Sequence, residues 1–176
     1  MTNYHVFDQV HDPVFTQQVN TFEYPGIEAG AAADAAKAGV LFAVPFAASV
    51  PGGQNLLLQA ANPPGSGKTM YVSRIFGSSS ASNVTMSLYR NGTFTGTAVT
   101  PVNLNFGSAN TSVMTAQGTT GSLGGGPTLL MSILLPEMPF TLDVGGSIIV
   151  PPGSALTVLI GTGSTNATAQ IQWWEY

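Results

Sequence analysis

Ala169-Gln170-Ile171-Gln172-Trp173-Trp174-Glu175-Tyr176 reads as a β-strand with one buried face. Successive side chains of a strand point to opposite sides, so Ala169, Ile171 and Trp173 share one face and Gln170, Gln172 and Trp174 the other. The same period-two pattern recurs upstream. Leu156, Val158 and Ile160 alternate with Thr157 and Leu159, and Val84, Met86 and Leu88 alternate with Thr85, Ser87 and Tyr89. Residues 41–46, 54–61, 69–76, 97–104, 112–116, 128–135, 140–143 and 147–150 are further candidate strands. Turn residues punctuate them: Pro51-Gly52-Gly53, Pro63-Pro64-Gly65, Gly124-Gly125-Gly126-Pro127, Gly145-Gly146 and Pro151-Pro152-Gly153. Asn91-Gly92, directly after one alternating run, is the strongest short hairpin signal in the chain. Short strands at this spacing predict an all-β fold, an antiparallel two-sheet β-sandwich or jelly roll. No strand–helix alternation follows residue 40, which argues against a parallel α/β sheet.

The first 39 residues differ, and the chain divides into an N-terminal arm and linker (1–39) and a β-sandwich domain (40–176). Residues 1–25 carry Tyr4, Phe7, Phe15, Phe22 and Tyr24 among polar residues, without helical or strand periodicity, and Pro13 and Pro25 interrupt them. This reads as an extended arm whose five aromatics call for a partner surface, on its own body or a neighbour's; the bland alternative is a disordered tail. Residues 26–39 favour a short Ala-rich helix with Gly39 at its C-terminal cap, either packed closely or acting as a linker.

Charge sets limits on function. Only 7% of residues are charged, against about 25% in an ordinary soluble domain. Ser, Thr, Asn, Gln and Gly take their place, giving a polar but neutral surface. Such a surface suits a subunit covered by copies of itself, since a free monomer ordinarily uses charge to stay soluble; a neutral, merely soluble β-domain is the bland alternative. The net charge of −4 lies in residues 1–39, where Asp8, Asp12, Glu23, Glu28 and Asp34 face Lys37 alone; the remainder is neutral. No basic patch exists for nucleic acid. The longest apolar run, Val40 to Val50, is broken by Pro45 and is too short for a membrane span. The first residues lack the basic start and apolar run of a signal peptide, so synthesis in the cytoplasm without export by the general route is expected, with release by lysis left open. With no cysteine, disulfides and thiolate metal sites are ruled out.

Residues 40–176 contain no His, three carboxylates (Glu137, Asp143, Glu175) and three cations (Lys68, Arg74, Arg90). No Ser-His-Asp set can form there, and the few carboxylates have ordinary turn and terminal roles open to them. A body this poor in reactive groups predicts a non-enzyme without cofactors. Asn62-Pro63-Pro64-Gly65-Ser66-Gly67-Lys68-Thr69 imitates a phosphate loop. The motif requires Gly where Asn62 stands and a helix afterwards, whereas β-forming residues follow, and Pro63 and Pro64 remove two N–H donors. A tight turn between strands is the better reading. His5, Asp8, His11 and Asp12 could approach a metal, but on an arm they read as solvated side chains. Asn83, Asn91, Asn110 and Asn166 begin glycan sequons, which are commonplace in a Thr-rich chain. If Trp173 is in the core, Trp174 points outward near Tyr176, which marks either an interface or a segment of the same chain folded over it.

Asn62-to-Thr69, then Thr100-Pro101-Val102-Asn103-Leu104-Asn105, then Val150-Pro151-Pro152-Gly153-Ser154, and the closing Trp173-Trp174-Glu175 together resemble a group of small β-sandwich, jelly-roll-like virion proteins of tailed phages and prophages. The resemblance covers residues 54–176 and brings no catalytic residues. It implies a virion structural component, a head decoration or tail-associated subunit, extracellular after release, with itself and other virion or shell proteins as partners. The alternatives are a carbohydrate- or receptor-binding jelly roll using Trp174, Tyr89 and Tyr71 to stack on a glycan, and a subunit of a self-assembling bacterial surface filament. The expected interface residues are Tyr4, Phe7, Phe15, Phe22, Tyr24, Trp174 and Tyr176.

Overall fold

The computed structural model describes residues 30–176. One helix, α1 (Ala31–Lys37), precedes eleven strands: β1 (Leu41–Val50), β2 (Asn55–Asn62), β3 (Met70–Ser79), β4 (Val84–Arg90), β5 (Thr97–Ala98), β6 (Val102–Asn103), β7 (Thr115–Gly121), β8 (Thr128–Leu135), β9 (Phe140–Val150), β10 (Ser154–Gly161) and β11 (Thr165–Glu175). They form two antiparallel sheets. The first runs β6-β1-β11-β3-β9 and the second β5-β7-β2-β10-β4-β8.

The order in which the chain visits the sheets defines the fold. Strands β5, β6 and β7 come from the segment between β4 and β8. Setting them aside leaves eight strands that switch sheet at every step but the fourth to the fifth, arranged first-eighth-third-sixth and second-seventh-fourth-fifth. That winding, two interlocked Greek keys, is a jelly roll. It explains the Gly/Pro-rich turns: nearly every connection crosses from one sheet to the other, a gap of about 10 Å. The Asn91-Gly92 hairpin expectation fails for the same reason. Both residues have positive φ, as that turn needs, but β4 pairs with β10 and β8, and the chain after Gly92 leaves for the far edge of the sheet. Asn91 instead ties β4 to β10. Its N–H donates to the Ala155 carbonyl at 2.8 Å and its side-chain oxygen accepts the Ala155 N–H at 3.0 Å.

Alternation in sequence becomes a core between the sheets. Phe42, Val44, Val72, Ile75, Ile171 and Trp173 project from the first sheet onto Leu56, Leu58, Met86, Leu88, Val158 and Ile160 of the second. Trp173 is completely buried in a lateral row with Phe42, Val72 and Ile148. Residues 140–150 form one strand, not two. The extra residues around Gly145-Gly146 are taken up as an irregularity opposite another at Ser73. Residues 97–104 give only two short two-residue strands, β5 and β6, on different sheets.

The two sides of the sandwich end differently. On one side the inserted β5, β6 and β7 extend both sheets and end them in two-residue strands. Very short edge strands leave little backbone for another chain to pair with. On the other side both sheets end in full-length strands, β8 and β9, of eight and eleven residues.

Candidate functional site

Trp174 lies on the face opposite Trp173, as strand parity requires, but the chain covers it. Leu41, Trp174 and Tyr71 line up across β1, β11 and β3 on the outer face of the first sheet. The Trp174 and Tyr71 rings stack at 6.0 Å with 9° between planes. Helix α1 closes over them through Ala32, Ala35 and Ala36, leaving Trp174 only 8% exposed. The expected exposed interface at Trp174 is therefore corrected: the residue is buried by its own chain. An all-Ala helix face suits this role because small side chains let the helix lie flat on an indole.

Two glycines make the arrangement fit. Gly39 has φ +70, its N–H bonding the Ala36 carbonyl while the Val40 N–H bonds the Ala35 carbonyl. These paired bonds are a Schellman cap, which turns the chain directly into β1. Gly146 has φ +87, and a Cβ there would sit 2.5 Å from the Trp174 ring. A seven-residue helix does not persist without packing. Ala35→Arg is thus expected to lift α1, red-shift the Trp174 emission and cost about 1–2 kcal/mol, with the far-UV spectrum nearly unchanged. Unchanged emission would contradict the covering role.

The three carboxylates of the body are separated by function. Glu175 is buried at the end of β11. Its carboxylate accepts the Ser112 hydroxyl, the Val113 N–H at 3.2 Å and the Trp173 indole N–H at 3.0 Å, so it anchors residues 112–113 to the core. Asp143 is solvent-exposed on β9 and pairs with Arg74 at 2.6 Å. The hydrogen bond from Arg74 holds its carboxyl below the usual carboxylate range. Glu137 lies exposed between β8 and β9. The phosphate-loop imitation is the β2–β3 turn. The buried Asn62 amide donates to the Lys68 and Val150 carbonyls at 2.8 and 2.9 Å and its oxygen accepts from Ser66. Asn62 thus stands in the glycine position of the motif because its side chain builds the turn.

Tyr176 is 61% exposed, with its backbone laddered to Thr69. Tyr4, Phe7, Phe15, Phe22, Tyr24, and the His5, Asp8, His11 and Asp12 group, lie outside the described residues. Of the three aromatics considered for a glycan platform, Tyr71 and Trp174 are stacked on one another beneath α1.

The largest unassigned feature is the β8–β9 side. Every residue from Thr128 to Leu134 is exposed. Leu129 and Leu134 are 53% and 62% exposed, and Leu130, Met131, Ile133, Met138 and Ile149 also reach solvent. Met131 and Ile133 sit laterally to the buried Leu88 and Met86, so they continue the core layer past the rim of the sandwich. Sequence reasoning finds the strand at 128–135 but assigns it no interface residue. Yet a signal is present: Leu129-Leu130-Met131-Ser132-Ile133-Leu134-Leu135 does not alternate, and a strand apolar on both faces is ordinarily covered on both.

No protein-family model matches the chain, and no curated protein or solved structure resembles it significantly.

Proposed function

We propose that the protein is a non-enzymatic structural subunit that acts by assembling with copies of itself and with other shell proteins. The observation that carries this reading is the exposed apolar strip along β8, continued by Met138 and Ile149. Contiguous apolar surface on a folded domain marks a contact with another macromolecule. Each buried Å² of it returns about 25 cal/mol, before the costs of association. The low charge of the body supports the same reading, because little electrostatic repulsion opposes close packing of copies.

In its specific form the subunit is a virion component, a head decoration or tail-associated protein. The resemblance over residues 54–176 supports this, and the jelly-roll winding is compatible with it, since viral capsid domains use that architecture. In this reading the aromatic N-terminal arm docks on an adjacent subunit. Light scattering and electron microscopy of the purified chain at micromolar concentration test it. Discrete oligomers, rings, filaments or shells are expected. A monodisperse monomer that binds no shell or filament would overturn it.

A further inference from the structure

We propose that the β8 edge pairs with β8 of a second copy, antiparallel, across a two-fold axis at Ser132. The inference deepens the self-assembly reading above and rests on it.

Three observations lead to the second copy as occupant. The first is the free edge. β8 bonds to β4 on one side and to no strand on the other among the described residues. A strand edge is a row of N–H and C=O groups ready to pair with another chain, and proteins that stay monomeric blunt such edges with Lys, Pro or short strands. This molecule does so on its β5/β6 side; β8 carries no charge and no proline, and its one irregularity, at Leu130, lies towards its start and leaves residues 131–135 regular.

The second is the sequence of the strand. Leu129-Leu130-Met131-Ser132-Ile133-Leu134-Leu135 is palindromic in residue character about Ser132. A two-fold contact requires that if residue i meets j, then j meets i. Centred on Ser132, antiparallel pairing sets Met131 against Ile133 of the other copy and brings Leu134 to Leu130, the residue at the irregularity of β8. Met131 and Ile133 lie opposite Leu88 and Met86 and so face the core layer, which would then run on from one sandwich into the next. The Ser132 hydroxyl shares a hydrogen bond with Ser87 at 3.1 Å, so the polar groups at the axis already have partners.

The third is size and charge. Eight residues span roughly 26 Å, and with sheets about 10 Å apart plus their side chains the strip is roughly 20 Å wide. Two such strips cover roughly 1,000 Å² in total, the area at which a contact becomes a specific interface. Both surfaces being uncharged along β8, they meet without repulsion.

The absence of cysteine makes the register directly readable. Single cysteines are placed at 130, 131, 132, 133 and 134 of the full chain, and each variant is oxidised at micromolar concentration. Facing residues of an antiparallel pair have Cα atoms about 4.5–5.5 Å apart, within disulfide range. Ser132→Cys is expected to give at least a five-fold higher yield of covalent dimer than any neighbour, and an equimolar mixture of Met131→Cys and Ile133→Cys a heterodimer exceeding either homodimer. Equal yields along the strand, or a maximum elsewhere, overturn the register. A double variant, Phe15→Cys with Ser132→Cys, that links positions 15 and 132 in preference to 132 with itself assigns the edge to the N-terminal segment and overturns the proposal. Assemblies visible by microscopy, with no covalent dimer from Ser132→Cys, would sink the β8 pairing and leave the structural reading standing; a monomer in every measurement removes both.

Discussion

Trp173→Ala is expected to cost about 3–5 kcal/mol for the lost side chain and the void it leaves. The indole is wholly enclosed between the sheets, in a row with Phe42, Val72 and Ile148, and the members of that row belong to four different strands. No single strand can shift to fill the space. The indole N–H also donates to the buried Glu175 carboxylate. Removing it leaves that carboxylate with the Ser112 and Val113 donors only, and a weakened buried acceptor adds roughly 1–3 kcal/mol. The sum is a large share of the ~5–15 kcal/mol that holds a typical domain folded. For a domain of this size it corresponds to a fall in Tm of roughly 10–30 °C. Trp173→Phe separates the contributions: it retains an aromatic ring, loses the donor, and is expected to cost about half as much. Urea titration followed by far-UV circular dichroism, at one fixed protein concentration so that association does not shift the midpoint, measures both. A loss below about 1 kcal/mol for Trp173→Ala would mean the ring is not the centre of the core.

Trp174→Ala is a different case despite adjacency in sequence, and the difference shows what a sequence makes legible. Strand parity alone assigns the two indoles to opposite faces. It works because β11 itself carries no extra residue at the tryptophans, the irregularity beside them falling on β3 at Ser73, and because one of its faces is apolar. Parity does not say what covers Trp174. That depends on an Ala-rich helix more than a hundred residues away in sequence, whose side chains carry no signal stronger than helix propensity. The edges are harder still. Gly145-Gly146 reads as a turn, and in isolation it is one; in the sheet it is absorbed opposite the irregularity at Ser73, and Gly146 makes room for Trp174. Asn91-Gly92 has the positive φ angles of a hairpin turn, but the neighbours of β4 are chosen by the jelly-roll winding, a long-range property that no dipeptide encodes. The strand at 128–135 is legible as a strand, and its unbroken apolarity as a demand for cover on both faces. That the cover is missing among the described residues becomes visible only when β8 is placed at the rim.

Leu134→Lys tests that missing cover from the opposite direction to Trp173→Ala, since it should spare the fold and remove the assembly. Leu134 points away from the core, lies beside Thr85 of β4 and is 62% exposed. In the isolated chain a lysine there stands largely in water, so stability should change by no more than about 0.5 kcal/mol. Where two β8 edges pair, the ammonium of each copy would crowd Leu130 of the other, with no carboxylate on the strand to receive it. Losing the two leucine contacts and partly desolvating two unpaired charges costs about 1.5–3 kcal/mol in all, which is a loss of association of roughly 10- to 100-fold. The same substitution at Thr168, exposed on the outer face of the first sheet, adds an identical charge far from β8 and controls for general repulsion. A concentration series by sedimentation velocity distinguishes the two. Leu134→Lys is expected to sediment as a monomer where the parent and Thr168→Lys associate. If all three behave alike, the apolar strip is not the surface through which copies meet, and the contact must lie elsewhere on the molecule.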